Sequence, residues 1–133
     1  MDYVKIGGKV WDVLVTGISE SFSILYSENT GRTISRGAKM TLDPLGTFFN
    51  HKVIFQRKQG FEKQYDDLWD FVSTPRYDGV DVSIVHNQDV IEYKAYISQG
   101  ERALKRIDPA TGKVYWDSFS LNIVAMSAQV MPE

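Results

Sequence analysis

Apolar and polar residues alternate with a period of two along most of this chain, and the period lengthens to that of a helix in one stretch only. Val4 to Ile6, then Gly7-Gly8, then a run from Val10 to Val15 predicts a short strand, a tight turn and a second strand. Ser21 to Tyr26 predicts another short strand. It is followed by Glu28-Asn29-Thr30-Gly31-Arg32, which lacks apolar anchors and is expected to be an exposed loop. A strand is expected over Arg36 to Leu42, ended by Asp43-Pro44-Leu45-Gly46. From Thr47 to Arg57 a further strand places Val53 and Phe55 on one face and Lys52, Ile54 and Gln56 on the other.

Between Phe61 and Ser73 the pattern changes. Phe61, Tyr65, Leu68, Trp69 and Val72 fall at i, i+4, i+7, i+8 and i+11, which predicts an amphipathic helix of about three turns. Glu62 suits the positive end of the helix dipole and Ser73-Thr74-Pro75 supplies a stop. Phe71 lies off the main stripe, so the helix is expected to be covered on more than one side.

Beyond the helix, Val80, Val82 and Ile84 alternate with Asp81 and Ser83. Asn87-Gln88-Asp89 makes a turn, and Val90 to Ser98 puts Ile91, Tyr93, Ala95 and Ile97 on one face: a hairpin. After the turn Asp108 to Lys113, a last strand alternates Tyr115, Asp117, Phe119, Leu121 and Ile123 with Trp116, Ser118, Ser120 and Asn122. The sum is six to eight strands and one helix (about 61–73) in one domain, 1–133. The class is mainly β (α+β), an antiparallel β-sandwich or open barrel.

Composition narrows the function. The chain has 133 residues, enough for one core, and no cysteine, which excludes disulfides, thiolate metal sites and a cysteine nucleophile. A net charge of -2 is no nucleic-acid footprint. No stretch approaches the ~18 apolar residues of a membrane span, and the N-terminus has no basic region followed by an apolar run. A soluble, internally made protein is expected.

Candidate chemistry is sparse. His51 and His86 share no metal-ligand spacing and read as surface or structural residues. Asp66, Asp67 and Asp70 read as a solvated helix face. Asp117 and Glu92 are the carboxylates embedded in apolar runs, yet both read as strand residues on a solvated face or in ion pairs. No phosphate loop and no nucleophile elbow is present. The basic residues Arg32, Arg36, Lys39, Arg102, Lys105 and Arg106, split between two loops, read as solvated or paired across a subunit interface. No cofactor, metal or catalytic residue is expected. The 13% aromatic share is the remaining signal. Trp69 and Trp11 are explained by core packing. Trp116, expected beside Ser118, Ser120 and Asn122, suggests either an interface anchor, a sugar-stacking platform or a residue covered by a second layer.

The segments VKIGGKVW, SENTGRTISRG, KVIFQR, EKQYDDLWDFVSTP, YDGVDVSIVHNQDVIEYKAYIS and GKVYWDSFSLNIVAM, taken in order, resemble the small tail structural proteins (tail tube, tube-terminator or baseplate type) of long-tailed phages and prophages of Gram-positive bacteria. The most recognisable piece is Trp116-x-Ser118 followed by Ile123. The resemblance implies a phage tail-tube-like sandwich or barrel with one helix, assembled as a ring, commonly hexameric. It implies as partners copies of the chain and neighbouring tail proteins, with no membrane and no sequence-specific nucleic acid. It also implies a place in the virion tail, assembled in the bacterial host cytoplasm. The candidate interface is Trp116, Ser118, Ser120, Arg32, Arg36 and Lys39, with the loop from Ser27 to Gly37 as an arm. The competing expectations are a carbohydrate-binding or host-recognition β-module in which Trp116 and exposed tyrosines stack on sugar rings, and a small hydrolase using Asp117 or Glu92.

Overall fold

A computed structural model describes residues 3–33 and 37–133 of the chain. The elements are β1 (Val4–Ile6), β2 (Leu14–Tyr26), β3 (Gly31–Arg32), β4 (Met40–Thr41), β5 (Pro44–Gln56), α1 (Glu62–Ser73), β6 (Val80–His86), β7 (Asp89–Ile107) and β8 (Val114–Ala125). Six strands form one antiparallel sheet in the order β1-β6-β7-β8-β5-β2, and β3 pairs with β4 in a two-stranded sheet. The mainly-β class with one helix is as the alternation predicts. The sheet curls into an open barrel: His86 on β6 reaches Glu20 on β2 at 2.8 Å although β7, β8 and β5 lie between them in the sheet. Its two edge strands, β1 and β2, are not paired with each other.

The core is the inner face. Val53 and Phe55 of β5 face Leu121 and Phe119 of β8, and with Ile123, Val82, Ile84 and Ile6 they are buried. The helix packs its stripe onto this face through Tyr65, Leu68 and Val72, all buried. Phe119 is the common contact, with Phe55, Tyr65 and Trp69 rings at 5.2, 5.0 and 5.3 Å. The Tyr65 hydroxyl donates to the Asp117 carbonyl at 2.5 Å, which satisfies the one polar atom the stripe brings inside. Phe71 is covered on a second side, as expected, by Trp11 at 5.5 Å and by Gly7, where an added Cβ would come within 2.5 Å of the ring. Arg76 stacks on Phe71 and donates to the Phe71 and Thr74 carbonyls, closing the helix C-terminus.

Several boundaries differ from expectation. Val10 to Val13 is not strand, because the Trp11 indole donates back to the Ile6 carbonyl and Val13 N–H to that of Trp11, turning this segment across Phe71; the strand begins at Leu14. From there β2 runs unbroken to Tyr26, absorbing Thr16 as a bulge between Val15↔Phe55 and Gly17↔Ile54. Of the expected strand from Arg36 to Leu42, Arg36 lies outside the described residues and only Met40–Thr41 of the rest is strand, while Pro44-Leu45-Gly46 open β5 rather than end its predecessor. Proline is tolerated as the first residue of a strand, where no ladder donor is missed. Finally β7 extends nine residues past Ser98, to Ile107.

The helix-to-sheet contact carries a measurable share of stability. Leu68→Ala, which opens a cavity beneath a fully buried position, is expected to cost about 2–5 kcal/mol in urea unfolding followed by circular dichroism. A cost below about 1 kcal/mol would contradict this packing.

Candidate functional site

Alternation places Ile18, Glu20, Phe22 and Ile24 on the inner face of β2, and the β2–β5 register sets Glu20 opposite His51. His51 in turn faces Ile123 on β8. Where β8 ends at Ala125, opposite the small Ala95, the Tyr93 side chain of β7 reaches across to His51. The result is one hydrogen-bonded chain: Tyr93 hydroxyl to His51 Nδ1 at 2.6 Å, His51 Nε2 to Glu20 Oε2 at 2.8 Å, and His86 Nδ1 to the same Oε2 at 2.8 Å.

The protonation pattern is set by donor counting. The His51 side chain is fully buried, and burial pushes its imidazole below the ordinary 6.5, only partly offset by the Glu20 carboxylate. Burial works against the Glu20 carboxylate as well, but hydrogen bonds from His86 and His51 outweigh it and hold the group below the usual carboxylate value. An ionised carboxylate only accepts, so His51 Nε2 and His86 Nδ1 both donate to it. The neutral His51 ring then accepts the Tyr93 proton at Nδ1. Burial and the nearby Glu20 charge push the Tyr93 hydroxyl well up, so it stays a donor. Every polar atom inside this corner is satisfied, and the chain ties together four strands: β2, β5, β6 and β7.

Among the described residues no group of three His, Asp or Glu has the geometry to hold a metal ion. The two histidines, read from sequence as separate surface or structural residues, are thus brought to one carboxylate. The signal was present as Glu20 in alternation with Ile18 and Phe22, but only the register between strands reveals its partner. Asp117 and Glu92, the carboxylates singled out from sequence, are exposed.

Trp116 does not share a face with Ser118 and Ser120. Between Arg102↔Phe119 and Leu104↔Trp116 the ladder advances two residues on β7 and three on β8, so a bulge turns Trp116 to the core side. There Arg102 lies over its ring at 4.0 Å and over Trp69 at 4.5 Å, with Asp66 at 3.7 Å from the guanidinium. The ring is half-buried beneath a cation–π clamp between the helix and the β7–β8 ribbon. Tyr115, expected beside Phe119, instead turns to Arg57 and Arg106. Arg102, Lys105 and Arg106 lie in β7 and not in a loop.

The other expected interface residues lie elsewhere. Ser118 and Ser120 are half-buried in β8, while Arg32 and Lys39 are exposed around the β3–β4 hairpin. Arg36 lies outside the described residues. The hairpin adjoins the Pro44 end of β5 and Ser120 pairs near its other end, so these groups form no single patch. The expected exposed loop from Ser27 is anchored: Ser27 N–H donates to the Asp43 carbonyl, Asp43 N–H to Thr30 Oγ1, and the Ser27 hydroxyl to the Asp43 carboxylate.

The surface feature that stands out is the far half of the β2–β5 pair. β5 pairs with β8 only over His51–Phe55, so residues 21–26 and 44–50 extend beyond that ladder as an arm, braced at Thr47 by Val130. The arm has no charged residue in either segment. It exposes Phe22, Ile24, Leu25, Tyr26 and Leu45, with Phe22 67% exposed. On its other side β2 pairs with no strand among the described residues.

No protein-family model matches the chain and no curated protein is significantly similar to it. No helix among the described residues is long and apolar enough to cross a membrane.

The polar corner makes stability depend on pH with a defined sign. Folded His51 resists the proton that unfolded His51 takes below 6.5, so the unfolded state gains protons first and stability falls as pH drops from 6.5 toward the lower folded value. Glu20 adds a second loss below 4.5 as pH falls through its own depressed value. In urea unfolding at a series of pH values the His51 contribution has a slope of at most about 1.4 kcal/mol per pH unit, and His51→Gln removes it. An equally steep dependence in the variant would place the titration elsewhere.

Proposed function

We propose that this chain is a non-enzymatic structural subunit of a phage or prophage tail (tube, tube-terminator or baseplate) that acts by self-association into a ring. The observation that carries the reading is β2. It is a thirteen-residue edge strand with a single charge, Glu20, which is turned inward to two histidines. Long edges are normally blunted by lysine, proline or brevity, because unpaired N–H and C=O groups recruit further strands. β2 has neither lysine nor proline, and its far half belongs to an apolar arm. Such an edge suits a chain whose partner is another strand. Its likeness to tail structural proteins, carried by the order of its segments, supplies the class of assembly. The polar groups of the Glu20 corner are consumed by one another, which supports a structural role for them.

The sugar-binding alternative would rest on exposed tyrosines such as Tyr77 and Tyr96 rather than on Trp116, whose ring lies under Arg102.

Sedimentation velocity and light scattering from micromolar to millimolar protein test the reading, with and without the neighbouring tail proteins. The expected result is a particle larger than the 15.2 kDa chain, formed as concentration rises or on addition of a neighbour. Ser21→Lys with Ser23→Lys, which adds charge to the free edge, is expected to weaken association at least about tenfold. The same pair is expected to shift folding stability by no more than about 0.5 kcal/mol per site. A strict monomer that also ignores its neighbours would overturn the reading.

A further inference from the structure

The open barrel leaves an apolar cleft between its two edge strands, lined among the described residues by Val4, Val10, Trp11, Val15, Ile18 and Val85 together with Tyr3 and Val13, with the Lys9 ammonium 4.2 Å over the Trp11 ring. Val10 and Val15 are 44% and 41% exposed. Among the exposed apolar residues described, two groups lie along β2, the cleft beside its first half and the arm that carries its second half. The arm with the adjoining Leu42 exposes six large apolar residues by 40% to 67% each. At roughly 150–250 Å² for a large side chain, that is on the order of 600 Å², close to the largest apolar patch of ordinary monomers. A stable contact takes about 800 Å² from each partner, so the arm supplies most of one side and the cleft is its apolar counterpart.

We propose that Phe22 and Ile24 on the β2–β5 arm of one copy seat in the β1–β2 cleft of the next. This rests on the self-association reading and names its contact. The occupant is a second copy because the chain itself carries both surfaces, each built of apolar side chains, and neither can satisfy the other within one molecule: the cleft borders Val15 and Ile18 of the strand whose residues 22–26 project away. The contact is head-to-tail. In it the arm of each copy meets the cleft of another, so unlike surfaces of identical chains meet at every contact. A head-to-tail contact leaves one arm and one cleft free after each addition, so it propagates until a ring closes.

Phe22→Asp puts a charge on the arm and Val10→Asp puts one in the cleft, both at exposed positions, so circular dichroism and the unfolding midpoint should match those of the wild type. In sedimentation velocity the wild type is expected to form species larger than a dimer, and each variant alone to stay monomeric. An equimolar mixture of the two variants is expected to stop at a dimer, since such a pair has one intact arm and one intact cleft. If either variant fails to fold, oxidation of a Phe22→Cys and Val10→Cys mixture, in a chain otherwise free of cysteine, gives a mixed-disulfide dimer that neither variant gives alone. A wild type that assembles beyond a dimer while either folded Asp variant does the same would overturn this contact and leave self-association standing. A wild type that stops at a dimer would overturn the head-to-tail geometry. A wild type that never associates, with or without tail neighbours, would overturn both.

Discussion

The structure depends on how one carboxylate is held. Glu20 sits on an edge strand that is hydrogen-bonded to a single neighbour, and its Oε2 accepts from two imidazoles on different strands, one of them on the strand next to the opposite edge of the sheet. That cross-link closes one corner of a barrel which main-chain pairing leaves open. It uses the only charge on β2, so the strand's outer edge carries none. Inside, the alternation of Ile18, Glu20 and Phe22 passes from core to polar corner to exposed arm within five residues. The same strand thus finishes the core at one end and projects as uncharged surface at the other.

A second constraint comes from bulges. The β7–β8 ribbon changes register three times, and each shift exchanges the faces of the residues beyond it. One of these shifts moves Trp116 from the Ser118–Ser120 face to the helix side, where Arg102 joins it to Trp69. Gly100 permits the close approach there: a Cβ would stand 3.1 Å from Leu121 and 3.6 Å from Trp69. The aromatic excess of the composition is therefore largely internal. Phe119, Trp69, Trp116, Tyr65 and Phe55 together join helix to sheet, which leaves Phe22 and Tyr26 of the arm among the aromatics that face water.

These features mark what the residues reveal in advance and what they hide. Helix α1 was legible almost to the residue, because a 3.6 period between period-two segments is a strong local signal and Ser73-Thr74-Pro75 ends it. The β6–β7 turn was legible too, since Asn87 adopts the positive φ that a two-residue hairpin requires. Strand lengths were not. Thr16 and Ser98 interrupt the alternation as bulges inside continuous strands, and alternation alone reads a bulge as an end. The Glu20 corner was hidden for another reason: His51 and Glu20 are 31 residues apart, His86 and Glu20 are 66 apart, and only the register of β2 on β5 and the curl of the sheet bring them together. The interface residues chosen from sequence failed to converge because one bulge removes Trp116 from the set and because the β3–β4 hairpin lies at the opposite end of β5 from Ser120.

β2 is tied on its inner side and unpaired on its outer edge among the described residues, and under the proposed self-association another copy covers that edge. Amide hydrogen exchange of residues 14–26, followed by mass spectrometry or NMR at low and high protein concentration, addresses this residue by residue. Alternate amides of β2, those facing away from β5, are expected to exchange rapidly in dilute protein and to become protected as concentration rises, while the amides of β8 are protected throughout. Slow exchange along the whole of β2 in the dilute monomer, or no change in its protection on assembly, would contradict it.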